Sequence, residues 1–184
     1  MERNFEKIVW TNSEIIRAID RIADNLNLYY KSYGSNHKIM VISVLDGSLV
    51  FTGNIINKLE FNLILKTAKI SLYGSKLHPK KENLVINLNF EKELIKDKRI
   101  LILEDLIDTG MTLDIFKNYL YNNGAYEVKI CSLFKKDISA RKNHVEVDWY
   151  GLDVPNAWVA GFGIDSRDKY RNFKHLGIVK IDCR

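Results

Sequence analysis

The segment Arg99-Ile-Leu-Ile-Leu-Glu-Asp-Leu-Ile-Asp-Thr-Gly-Met-Thr112 constrains the fold more than any other part of the chain. Residues 100–103 are all apolar and predict a short buried strand. Glu104 and Asp105 follow at its carboxyl end, then Asp108. Thr109 and Gly110 suit a tight turn, and Thr112 is expected to open a helix running to about residue 122. A second run, residues 39–45, is nearly all apolar and rich in β-branched side chains, as a central parallel strand requires. It ends at Asp46-Gly47-Ser48, with a helical stretch expected to about Leu59.

The rest of the chain alternates in the same way. Ile15, Ile16, Ile19, Ile22, Ala23 and Leu26 fall at helical spacing over residues 13–28, with Thr11, Asn12 or Ser13 as the cap. Strands are expected over 62–73 and 128–134, with shorter ones near 147–150 and 158–162. Residues 74–83 carry Gly, Ser, His, Pro and three lysines and read as a long mobile loop. Alternating strands and helices predict an α/β fold with a parallel sheet and a ligand at the strand carboxyl ends. At 184 residues with no repeat or linker, the chain is expected to form one domain, residues 1–184.

Bulk properties narrow the function. Hydrophobic residues make up 46% and charged residues 28%, as in a soluble globular protein, and no apolar run approaches a membrane span. The first residues have no signal-peptide core, and Cys131 and Cys183 suggest neither a disulfide framework nor a metal knuckle, so a cytoplasmic location is expected. The net charge of +5 suits a polyanionic small molecule. Scattered lysines and arginines, with no basic tail or helix-turn-helix pattern, argue against nucleic acid as the partner.

A strand, a small-residue turn and a helix N-terminus make an anion cradle, because free backbone N–H groups and the helix dipole converge there. Three acids beside it would repel inorganic phosphate. They suit a sugar phosphate: the cradle holds the phosphate, Glu104 and Asp105 accept hydrogen bonds from hydroxyls, and Asp108 is left for proton chemistry. An enzyme acting on a phosphorylated ribose is the expectation. Asp46-Gly47-Ser48 is either a plain strand-to-helix turn or a second backbone anion grip. Lys135 and Lys136 are either solvated or a donor pair at a strand end. Trp158 reads as core, and Arg171 as surface or anion ligand. The four histidines form no ligand pair, and no Walker A or G-x-S-x-G motif is present. Gly161 and Gly163 lack the chain length for a dinucleotide unit.

Residues 99–112 resemble the signature of the 6-oxopurine (hypoxanthine-guanine) phosphoribosyltransferases: a hydrophobic run, two acids, two apolar residues, then Asp-Thr-Gly-x-Thr. The resemblance extends over about residues 40 to 171. It implies the type I phosphoribosyltransferase fold, a core parallel sheet with a small hood built from both chain ends. The implied reaction joins phosphoribosyl pyrophosphate to hypoxanthine or guanine. By that resemblance Asp108 is the general base, and Glu104 and Asp105 hold the ribose. The stretch from Asp108 through Thr109, Gly110, Met111 and Thr112 takes the 5′-phosphate. Asp46, Gly47 and Arg171 face pyrophosphate; Asp46 replaces the family's usual lysine in a turn that carries a cis peptide. Lys136, Trp158 and Val159 hold the purine, and Leu72 and Tyr73 form the base of a lid, with Leu72 replacing a serine. Magnesium (Mg2+) is implied on Asp165, Glu104 and Asp105, as is a homodimer or homotetramer. A xanthine-preferring transferase and a non-catalytic regulator binding phosphoribosyl pyrophosphate are the alternatives.

Overall fold

Burial in the first central strand, β2 (Ile39–Leu45), is continuous from Ile39 to Val44, as a parallel strand covered on both faces demands. The computed structural model describes residues 2–34, 38–72, 84–136 and 145–183. Ahead of β2 lie β1 (Phe5–Trp10) and α1 (Asn12–Lys31). After it come α2 (Leu49–Ile55), β3 (Leu63–Leu72), β4 (Leu84–Leu88), β5 (Arg99–Ile107), α3 (Met111–Asn122) and β6 (Glu127–Lys136). The chain closes with β7 (Trp149–Val154), β8 (Val159–Ala160) and β9 (Leu176–Val179).

Six strands form the main sheet in the order β4-β3-β2-β5-β6-β7. All neighbours run parallel except β3 and β4. From β2 the chain turns to β3 on one side and later returns to β5 on the other. This reversal opens a crevice at the carboxyl ends of β2 and β5, where open α/β sheets bind ligands.

The sheet separates two apolar layers. On one face Ile15, Ile19, Ile22 and Leu26 of α1 join Val41, Leu101, Leu103 and Leu133. On the other, Leu113, Phe116 and Leu120 of α3 join Met40, Ile42, Ile100 and Ile102. Thr11 caps α1, and the Glu14 carboxylate accepts the Thr11 N–H at 2.8 Å. Strands β1, β9 and β8, from the two ends of the chain, form a separate antiparallel sheet above the crevice end. Phe5 and Phe173 stack at 4.4 Å in its core. The Asn12 N–H donates to His175 Nδ1 at 2.9 Å, which fastens α1 to this sheet.

Several expected boundaries move. The helix after Ser48 stops at Ile55 and tightens into a 3-10 turn over Ile56–Lys58, so Leu59 is already extended. Strand β5 runs on to Ile107 because its ladder with β6 continues through Ile107↔Lys135, which places Glu104 and Asp105 inside the strand rather than after it. Likewise Lys135 and Lys136 belong to β6, held by pairing with Asp153 and Val154 of β7. Among the described residues no helix is long and apolar enough to cross a membrane.

Candidate active site

The end of β5 carries two acids whose buried carboxyls form no ion pair among the described residues. Among the described residues Glu104 Oε2 is sealed from solvent and has no hydrogen-bond partner. Burial, reinforced by the neighbouring Asp105 charge, holds the Glu104 carboxyl well above the usual carboxylate range. Burial likewise pushes Asp105 up to about 6, against the opposing pull of the Asp105 and Leu106 backbone N–H groups and of Arg171; Asp165 adds to the rise.

The turn after β2 closes on this pair. A Cβ on Gly47 would run into the Asp105 carboxylate, so any side chain there would force that carboxylate to move. The Leu45–Asp46 peptide is cis. Beneath the turn three buried hydroxyls interlock: Ser43 meets Ser48 at 2.7 Å and Thr52 at 2.8 Å, and Ser48 donates to the Val44 carbonyl at 2.6 Å. Asp46 itself pairs with Lys69 of β3, Oδ2 to Nζ 2.7 Å.

Beyond β5, Gly110 adopts the left-handed conformation (φ 75°) and caps α3. The helix therefore opens at Met111, one residue earlier than expected. No side chain among the described residues caps it, apart from a long 3.4 Å bond from the Met111 N–H to Thr109 Oγ1. Lys136, last residue of β6, is only 9% exposed, and its Nζ lies 3.4 Å from Asp108 Oδ1. A cavity of about 200 Å³ adjoins them, lined by Ile107, Thr109, Lys135, Lys136 and residues 145–147.

The third wall is the segment 161–171. Phe162, Arg167, Asp168 and Tyr170 all have positive φ, between 48° and 73°. Such concentration of sparsely populated backbone in one segment marks a constrained functional loop. Arg171 secures it, with Nη2 2.8 Å from Asp165 Oδ1 and Nη1 donating to the Gly163 carbonyl at 2.8 Å. The other Asp165 oxygen accepts the Asp168 N–H at 3.0 Å. Just before the segment, Val159 is buried while Trp158 stays 52% exposed. The Trp158 indole N–H donates to buried Ser166 Oγ at 3.0 Å, which fixes the ring.

The structure thus brings Asp46, Gly47, Glu104, Asp105, Asp165 and Arg171 around one crevice, with Asp108, Thr109, Gly110, Met111, Thr112 and Lys136 along its side. Among the described residues it does not assemble three carboxylates, histidines or cysteines into a ready cage for a metal. Leu72 ends β3; Tyr73 and residues 74–83 lie outside the described residues. Sequence reasoning missed Lys69 and Ser166. Lys69 sat in an alternating strand pattern whose partner register was unknown, and Ser166 carries no signal until the Trp158 indole is placed.

The model of the phosphoribosyl transferase domain matches residues 8–167. The chain belongs to this family. Hypoxanthine-guanine phosphoribosyltransferase of Bacillus subtilis is 30% identical over 183 residues, covering 98% of this chain and 96% of the relative. Hypoxanthine-guanine-xanthine phosphoribosyltransferase of Tritrichomonas foetus is also 30% identical, over 98% of this chain and 94% of the relative. A solved variant of Trypanosoma cruzi hypoxanthine phosphoribosyltransferase, complexed with the product IMP, superposes with a TM-score of 0.87 at 26% identity, covering 97% of this chain and 93% of that one. The α/β sheet with its crevice is therefore the fold of the hypoxanthine phosphoribosyltransferases, and the chain is an enzyme of that kind.

Proposed function

We propose that this phosphoribosyltransferase moves the 5-phosphoribosyl group of phosphoribosyl pyrophosphate onto N9 of hypoxanthine or guanine, giving IMP or GMP and pyrophosphate. One observation carries the choice of base: buried Lys136 Nζ stands 3.4 Å from Asp108 Oδ1. A 6-oxopurine protonated at N7 presents O6, an acceptor, beside N7–H, a donor. A fixed ammonium beside a carboxylate matches that edge. Adenine would set its 6-amino donor against the Lys136 donor.

The residues divide the work by charge. As the bond from ribose C1 to pyrophosphate breaks, the ring gains oxocarbenium character and N9 bonds to C1. Asp108 accepts or shares the N7 proton as the purine turns nucleophilic, a general-base role. Glu104 and Asp105, short of partners, accept hydrogen bonds from the ribose hydroxyls. Amides of residues 108–112, with the Thr109 and Thr112 hydroxyls, hold the 5′-phosphate. The Asp46–Gly47 backbone and Arg171 hold pyrophosphate. Trp158 stacks on the purine, and backbone groups of Val159 read its edge. By the family resemblance Leu72, at the end of β3, and Tyr73, outside the described residues, are assigned to a lid that would exclude water.

Magnesium fits these donors. It favours oxygen and is commonly held by one or two carboxylates plus substrate oxygens rather than by an all-protein cage. The orphaned Glu104 Oε2 supports such a site. Asp165, with Glu104 and Asp105, would hold the ion, which when bound neutralises the leaving pyrophosphate. A homodimer or homotetramer in the cytoplasm completes the reading.

The test mixes purified protein, Mg2+ and phosphoribosyl pyrophosphate with hypoxanthine, guanine, xanthine and adenine in parallel. Nucleotide from hypoxanthine or guanine, and none from adenine, is the expected result. Turnover of adenine would overturn the assignment of Lys136. The xanthine-accepting relative makes xanthine the second reading, and product from xanthine alone would establish it.

A further inference from the structure

We propose that Lys69 is the cation that serves the pyrophosphate-binding turn of this chain, and that Asp46 is its built-in competitor. This rests on the phosphoribosyl pyrophosphate reading above and refines its leaving-group side. Parallel pairing sets Lys69 opposite Leu45, at the end of the β2–β3 ladder beside the Asp46–Gly47 turn. Its Nζ lies 2.7 Å from Asp46 Oδ2, and the two side chains are 55% and 50% exposed, so solutes can reach both. Gly47, next in the chain, abuts Asp105. Asp46 is therefore an acid at the mouth of a site meant for a polyanion.

Charge around the crevice favours a free cation. Asp46, Glu104, Asp105, Asp108 and Asp165 confront Lys69, Lys136 and Arg171, while Lys135 Nζ lies over the Tyr150 ring, 4.6 Å from its centroid. Arg171 is committed to Asp165 and to the Gly163 carbonyl. Lys136 is buried beside Asp108. The Lys69 ammonium has three donors and spends one on Asp46. The Asp46 carboxyl lies below its usual range, chiefly through the Lys69 hydrogen bond and with a smaller pull from Arg171. An exposed ion pair of this sort contributes little to stability, so the fold does not require it.

The consequence is an exchange. When pyrophosphate oxygens enter, Lys69 shifts from the Asp46 carboxylate to them; when pyrophosphate leaves, Asp46 recaptures the ammonium. The pair then tunes affinity for phosphoribosyl pyrophosphate and for product pyrophosphate without touching the base.

Calorimetric binding of Mg2+-pyrophosphate, with steady-state KM values for both substrates, tests this on Lys69→Met, Lys69→Arg and Asp46→Asn, each first checked for a wild-type melting curve. Lys69→Met should weaken pyrophosphate binding and raise KM for phosphoribosyl pyrophosphate about tenfold, with KM for the base unchanged. Lys69→Arg should restore most of the loss. Asp46→Asn should tighten pyrophosphate binding about threefold, since it frees Lys69 and removes a like charge. Unchanged pyrophosphate binding in Lys69→Met, or weaker binding in Asp46→Asn, overturns the proposal. Failure of the underlying function reads differently: wild type would form no nucleotide from any base while the pyrophosphate shifts persisted.

Discussion

Asp46, Asp108 and Asp165 stand on loops around the strand ends, each facing a cation: Lys69 at 2.7 Å, Lys136 at 3.4 Å and Arg171 at 2.8 Å. Glu104 and Asp105, within β5 itself, form no ion pair among the described residues and are pushed toward their neutral forms by burial. Two sets of the same functional group, in one crevice, thus differ in their surroundings: the loop acids each meet a cation, whereas the strand carboxyls are buried without an ion pair among the described residues. The strand acids are held against their ionisation, a stability cost that hydroxyl donors or a divalent cation would relieve.

Breaking the loop set at Asp108 should have the largest effect. Asp108→Asn should lower turnover by about 10²–10⁴, the range for loss of a general base, as steady-state kinetics would read. Turnover within about threefold of wild type would remove Asp108 from that role.

Breaking the strand set should separate activity from stability. Asp105→Asn should cut kcat/KM for phosphoribosyl pyrophosphate roughly tenfold to a hundredfold through lost ribose contacts. The same change should stabilise the ligand-free protein at pH 7 by on the order of 1–2 kcal/mol. The folded-state value of Asp105 is about 6, above the ordinary 3.8, so the folded protein binds its proton more tightly across that interval. Stability contributed by this proton is present below 3.8 and is lost as pH rises through about 6. Denaturant melts of wild type should show that fall, and Asp105→Asn should flatten it.

A smaller effect sharpens the role of the cations. Lys136→Gln should raise KM for the base about tenfold and erode discrimination against adenine; unchanged discrimination would exclude the ammonium from reading O6. Smallest of all, Asp20 pairs with Lys58 at 2.6 Å on the surface, far from any sealed carboxylate. Asp20→Asn should leave chemical stability within about 0.5 kcal/mol of wild type. A larger loss would mean that pairing, rather than burial, sets the value of the acids in this protein.

Much of this was legible from local pattern. The runs at residues 39–45 and 100–103, the helical spacing of Ile15, Ile19, Ile22 and Leu26, and the Asp-Thr-Gly turn each specify their own structure, and the sheet follows from their alternation. Elements that exist only through distant partners were silent. Strands β1 and β9 pair across almost the whole chain, from Phe5↔Val179 to Trp10↔Leu176, and neither has a run long enough to declare itself. Strand β4 is a short edge strand held by β3 alone. At the site, residue identity revealed the acids but not their environments. The orphaned Glu104 oxygen, the meeting of Lys69 with Asp46 and the tether from Trp158 to Ser166 depend on register and on loop closure, which spacing along the chain does not encode.

The most direct test of the contrast between the two sets is a carboxyl-carbon NMR titration of the ligand-free protein, with resonances assigned by the Asp→Asn variants. Asp105 should titrate with a midpoint near 6, and Asp46 below the ordinary 3.8. An Asp105 midpoint at or below 3.8 would contradict the account, because burial would then not be holding this strand acid against ionisation.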